Sequence, residues 1–168
     1  MTTNSVPLDE AEYRPVGNCY EDFEVGRTFE HHWGRTVTDG DNARFTTLRI
    51  NRNPLYFNEE YAATYGHENV VIDPLLVFNT ILGLTVEDLS ERGGLFLGVD
   101  DCTFHKQLTV GATLTAESEV LDRRQSDSRP DFGIVTWRTR GYDGEGDLVI
   151  EYDRTNMVPK RSDEEGDA

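Results

Sequence analysis

The chain has few residues able to do chemistry, and they lie in scattered short segments. Asp73 stands directly before Pro74. A carboxylate at a helix entrance can act on a water molecule, or it can simply cap a helix whose first position is proline. His67, in Tyr65-Gly66-His67-Glu68, is a candidate proton carrier near the same mouth, since imidazole titrates near neutrality; a solvated loop histidine is the alternative. His31 and His32 are adjacent in an extended stretch, so their side chains point to opposite faces and cannot share one metal ion. His105 and Lys106, beside Phe104 on a predicted strand, could meet a phosphate or face solvent. Arg123, Arg124 and Arg129 form a local basic group able to hold phosphates or a carboxylate, or to make ordinary surface pairs. Cys19 and Cys102 lack metal-ligand spacing and predict neither a zinc site nor a disulfide framework. There is no Gly-x-Ser-x-Gly, no phosphate-binding glycine loop with a following Lys and no His-Glu-x-x-His, so hydrolase, nucleotide-binding and metalloprotease readings lose their main support.

The elements that must carry these residues follow from patterning. Residues 1–18 are polar, contain Pro7 and Pro15, and read as a flexible arm. Two short extended pieces follow, Glu24 to Phe29 and Trp33 to Val37, then a helix from about Asp41 to Leu48 and a brief one from an Asn58 cap. From Pro74 apolar residues surround the helix axis, as expected of a helix wrapped by other structure. Runs near 95–108, 112–126, 132–142 and 147–158 then alternate with period two and predict a long antiparallel meander. The sum is an α+β fold: a single hot-dog domain over 19–160, with a long buried helix wrapped by a curved antiparallel sheet, ending in an acidic tail over 161–168.

Composition sets the partners. The 168 residues carry 32 Asp and Glu against 16 Lys and Arg, a formal charge of -16. That field repels phosphate backbones and anionic lipid, which argues against nucleic acid and membranes as partners. No apolar run approaches the ~20 residues of a membrane span, and the start lacks the marks of a secretory signal, so a cytoplasmic protein is expected. Lys106 and Lys160 are the only lysines. Abundant, dispersed carboxylates with few lysines resemble proteins of extreme halophiles, whose negative charge keeps them soluble when salt screens repulsion.

Several segments together resemble the MaoC-like hydratases and dehydratases of enoyl-CoA and 3-hydroxyacyl-CoA thioesters. The likeness covers roughly residues 24–158 and rests on Gly34-Arg35-Thr36-Val37-Thr38 leading to Asp41 and Phe45, on Asn51-Arg52-Asn53-Pro54-Leu55-Tyr56 followed by Asn58 and Tyr61-Ala62, on the helix from Pro74, and on Phe104 followed by Gly111-Ala112-Thr113-Leu114. The stretch Ser126 to Val135 is similar to relatives that handle branched C5 dicarboxylyl-CoA thioesters such as mesaconyl-CoA. The resemblance implies a substrate that brings its own CoA and no other cofactor. It also implies a homodimer or higher hot-dog oligomer, with a hetero-oligomer containing an intact hot-dog chain as the alternative.

Three positions depart from that family's pattern. The family flanks Asn-Pro-Leu with an Asp and a His that hold a water between them; the matching residues here are Asn51 and Tyr56. An amide does not titrate, and a phenol with a reference pKa of about 10 is a reluctant acid or base. Family members polarise the thioester carbonyl with a backbone N–H at the start of the buried helix, where this chain has Pro74, which has none; Leu75 is the next donor. The expected catalytic set is therefore Asn51, Tyr56, Asp73 and His67, and the expected substrate-binding set is Asn53, Pro54, Leu75, Arg123, Arg124 and Arg129. Two outcomes stay open: a hydratase using these residues, or a degenerate subunit that binds acyl-CoA or supports an active partner.

Overall fold

The computed structural model describes residues 16–162; the rest of the expected arm and most of the acidic tail lie outside the described residues. The elements are β1 (Thr28–Thr36), α1 (Asp39–Leu48), α2 (Glu59–Thr64), α3 (Pro74–Leu84), α4 (Val86–Leu89), β2 (Phe96–Phe104), β3 (Thr113–Gln125), β4 (Phe132–Tyr142) and β5 (Leu148–Pro159). The sheet is antiparallel with order β1-β3-β4-β5-β2.

Local chemistry explains the helix starts. Thr38 and Asp41 form a reciprocal capping box: the Thr38 hydroxyl accepts from Asp41 N at 3.2 Å, and the Asp41 carboxylate accepts from Thr38 N at 3.0 Å. This starts α1 two residues before the expected Asp41. Asn58 Oδ1 accepts from Tyr61 N at 2.9 Å and caps α2. Asp73 caps α3, with Pro74 at its first position. The two extended pieces expected near the start are one strand, β1, whose pairing with β3 shifts register between His31 and Arg35.

The expected meander is correct for β3, β4 and β5 but not for β2. That strand pairs with β5 at the far edge of the sheet, so the chain must cross the fold between Phe104 and Thr113. The crossing segment is held by Ile72 N donating to Leu108 O at 2.8 Å, Val110 N donating to Val70 O at 3.1 Å, and a bridge between Val71 and Thr109. It thereby lies beside the start of α3.

Helix α3 buries Val77 and Ile81 against Leu114, Ala116, Ile150 and Tyr152 of the sheet. It sits close because β4 has glycine beneath it; a Cβ on Gly141 would stand 2.7 Å from Ile81 Cδ1. A second cluster of Phe23, Phe29, Leu89, Val120, Val135 and Trp137 lies under α4. Helix α3 is apolar around most of its axis, apart from Asn79 and Thr80, but it is less buried than expected: within one chain only Val77 and Ile81 are fully covered, and Leu75 is 41% exposed. Along the outer edge strand β2, Phe96, Leu97 and Phe104 are exposed as well.

Candidate functional site

The site is built where the end of α1, the Asn53 turn and the start of α3 converge. Its keystone is Asn42, fully buried on α1. Asn42 Nδ2 donates to Tyr56 O at 2.9 Å and to Val71 O at 3.0 Å, and Asn42 Oδ1 accepts from Asp73 N at 2.9 Å. One amide thus ties α1 to two chain segments, the Tyr56 turn and the 71–73 stretch, whose main-chain groups would otherwise lack partners in a water-free interior.

Asp73 is 1% exposed and surrounded by donors. Its Oδ1 accepts from Leu75 N at 2.9 Å and from Arg49 Nη1 at 2.6 Å; its Oδ2 accepts from Asn51 Nδ2 at 2.7 Å and from the same Arg49 nitrogen at 2.6 Å. A carboxylate offers about four lone-pair directions, and four contacts fill them, which leaves none pointing at a water or a substrate carbon. The amide N–H groups at the helix start are equally committed: Pro74 has none, Leu75 N serves the Asp73 carboxylate, and Leu76 N and Val77 N donate to Asp73 O. No N–H of this turn is open to a thioester oxygen.

Asn51 completes the lock. Its Oδ1 accepts from Asn53 N at 3.0 Å, and Asn53 Oδ1 in turn accepts from Leu55 N at 3.1 Å, shaping the turn that Pro54 opens. The residue before it, Ile50, has φ +54°, in the left-handed region that a β-branched side chain rarely adopts. Ile50 ends α1 in a Schellman arrangement, with Asn51 N donating to Thr46 O and Ile50 N donating to Thr47 O.

A cavity of about 300 Å³ opens beside this lock, walled by Val71, Ile72, Pro74, Val77 and Leu108, with Tyr56, Phe104, His105, Lys106 and Gln107 also lining it. The Tyr56 hydroxyl has no protein partner among the described residues. Partial burial raises its pKa above the ordinary phenol value, the Asp73 charge pushes the same way, and Arg49 opposes both. Tyr56 is therefore a protonated phenol at neutral pH, suited to donating a hydrogen bond into the cavity.

The remaining expected residues fall elsewhere. His67 does not line the cavity, and its backbone N–H donates to Ala62 O at the end of α2. Lys106 does line it, but its ammonium lies 2.6 Å from both Asp143 and Asp147, and these partners raise its pKa. Asp143, Asp147 and nearby Glu145 form an acidic group that this lysine already occupies. Arg123 donates to the carbonyls of Tyr20, Glu21 and Phe23 and lies over the Tyr20 ring. Arg124 lies 4.0 Å from Asp127, and Arg129 sits over Phe132. All three arginines are at the end of β3 and in its hairpin to β4, roughly 30 Å along the strand from the cavity end of the same chain at 3.3 Å per residue.

Asn42 and Arg49 were not singled out from sequence. The readable signal was a polar stripe, Asn42, Thr46 and Arg49, on the helix face where a buried apolar stripe is expected.

The sequence matches the family model of mesaconyl-CoA hydratase over residues 1–168. The chain belongs to the mesaconyl-CoA hydratase family. It is 40% identical over 155 residues to the mesaconyl-CoA hydratase of Haloarcula marismortui, covering 92% of this chain and 43% of that protein. Among solved structures it is similar to a MaoC domain protein dehydratase from Chloroflexus aurantiacus, with TM-score 0.83 and 36% identity over 91% of this chain and 43% of that one. A Mycobacterium tuberculosis protein with a double hotdog fold matches at TM-score 0.81 and 25% identity, over 88% of this chain and 46% of the other. The fold of this member of the mesaconyl-CoA hydratase family is thus the hot-dog fold, and the chain spans less than half the length of these three relatives.

Proposed function

We propose that the chain is one hot-dog module of a hydratase/dehydratase acting on enoyl-CoA and 3-hydroxyacyl-CoA thioesters, with a branched C5 dicarboxylyl-CoA such as mesaconyl-CoA as substrate. In that reaction a water hydroxyl adds to the carbon β to the thioester and a proton adds to the α carbon; dehydration is the reverse. In this reading the groups that move those protons come from a second hot-dog domain with Asp and His in the places of Asn51 and Tyr56. The observation that carries it is the Asp73 carboxylate: every lone-pair direction is taken by Arg49, Asn51 and Leu75, so the position next to the cavity is a structural lock. The module's own contribution is the cavity for the acyl group, with apolar walls and His105, Lys106 and Gln107 also in its lining, and the Tyr56 hydroxyl as a hydrogen-bond donor inside it.

The exposed apolar side chains of edge strand β2, Phe96, Leu97 and Phe104, supply a surface for the second domain, since an unpaired strand edge is otherwise an aggregation hazard. Among the described residues no helix is long and apolar enough to cross a membrane. We place the module in a salt-rich cytoplasm, in keeping with its charge. Loss of enoyl absorbance from mesaconyl-CoA and crotonyl-CoA in molar KCl tests the proposal. Turnover is expected only when the chain is combined with a hot-dog partner carrying the Asp and His. No turnover with any such partner would remove the hydratase reading.

A further inference from the structure

An open groove of about 360 Å³, sharing no lining residue with the cavity, is lined by Ala43, Thr46, Thr47, Ile50, Asn51, Arg52 and Phe57. Three of its features suit a ligand. Ile50 is 72% exposed as well as left-handed in φ, so a β-branched apolar side chain is held out into water at the expense of backbone strain. Phe57 is 50% exposed beside it. Arg52 is exposed and makes no hydrogen bond or ion pair among the described residues, in a chain where carboxylates outnumber basic groups two to one. An apolar floor with one uncompensated guanidinium at its side is complementary to a ligand that is part apolar chain and part anion. The hydrogen bond from Asn51 to Asp73 joins the groove wall to the cavity wall, because Asp73 is the chain neighbour of the cavity residue Pro74.

Resting on the function proposed above, we infer that this groove takes the phosphate-bearing pantetheine arm of the CoA thioester, with Ile50 and Phe57 packing against the arm and Arg52 contacting a phosphate. The acyl group then reaches the cavity past Asn51, which places the thioester at the Asn51-Asp73 wall between the two.

Binding of free CoA and of pantetheine, which has no phosphate, to the full chain by calorimetry at the lowest KCl that keeps it folded tests this. Arg52→Ala should weaken CoA about three- to tenfold, the range for one exposed charge-assisted contact, and leave pantetheine unchanged. Ile50→Asn should weaken both ligands, and it keeps the fold because Asn enters the left-handed region readily. Arg44→Ala removes a charge from α1 outside the groove that is likewise without a hydrogen bond or ion pair among the described residues, and it should change neither. If the wild type binds CoA and Arg52→Ala leaves the affinity intact, or Arg44→Ala weakens it equally, the groove assignment falls while the hydratase-module reading stands. If Ile50→Asn dissociates an oligomer and leaves CoA binding unchanged, the groove serves a protein partner and the assignment again falls. If the wild type binds neither ligand at millimolar concentration, both the assignment and the reading beneath it fall.

Discussion

Replacing Asn42 with alanine should unlock the site from within. The side chain is fully buried and makes three hydrogen bonds, to Tyr56 O, Val71 O and Asp73 N, so its loss strands two carbonyls and one N–H on two segments, the Tyr56 turn and the 71–73 stretch. An unsatisfied buried group costs about 1–3 kcal/mol; at the lower end, allowing for a water in the space vacated, the three together come to about 3–4 kcal/mol. That is a large share of the roughly 5–15 kcal/mol that keeps a domain folded. With a urea m-value of about 2 kcal/mol/M, the unfolding midpoint should fall by about 1.5–2 M. Thr46→Ala is the control: this hydroxyl is buried on the same helix but bonds only to Asn42 O and Ala43 O of α1 itself, and its loss should cost about 1 kcal/mol. Urea unfolding of both variants in molar KCl gives the comparison. Equal midpoints would refute the claim that Asn42 ties the segments together.

Ile50→Asn should stabilise the fold by about 1 kcal/mol, since it exchanges a strained left-handed Ile for a residue that tolerates the conformation; a lower thermal midpoint would contradict this. His31 is buried between Asp88, 2.6 Å from Nδ1, and Ser118, 2.9 Å from Nε2; burial lowers its pKa, and the Asp88 hydrogen bond only partly opposes that. The folded state therefore binds this proton less readily than the unfolded chain. Its contribution to stability is complete above the unfolded value of about 6.5 and declines as pH falls from there toward the lower folded value. His31→Gln should flatten that slope, and a wild-type midpoint that rises on acidification through the window would overturn the assignment. Light scattering in molar KCl should give the wild type a mass above that of one chain, and a charge on edge strand β2, such as Phe96→Asp, should lower it; an unchanged mass would place the interface elsewhere.

The sequence carried the elements better than their arrangement. Period-two alternation marked β3, β4 and β5 to within one residue at each end and the start of β2, which ends at Phe104 rather than near 108, and Asp73-Pro74 marked the start of α3, because caps and alternation are local chemistry. Which strand neighbours β2 was not legible, since the crossover depends on contacts from residues 70–72 to the 108–110 segment rather than on any turn. At the site, Asn51, Tyr56 and Asp73 could be named, and Asn51 and Asp73 prove to touch. Arg49 could not, because its meeting with Asp73 spans 24 residues and is set by how α1 packs. Arg123 looked free to bind an anion; the three carbonyls that occupy it belong to the turn over Tyr20–Asp22 and to Phe23, some hundred residues earlier.

The most direct test follows mesaconyl-CoA hydration by the chain combined with a hot-dog partner that carries the Asp and His, comparing two single changes per folded complex. Replacing the partner's Asp by Asn should cut turnover about 10²- to 10⁴-fold, the usual contribution of a general acid or base, while Asp73→Asn in this chain should leave turnover within about threefold. Turnover by the isolated chain that Asp73→Asn abolishes would contradict the account and make Asp73 a catalytic residue.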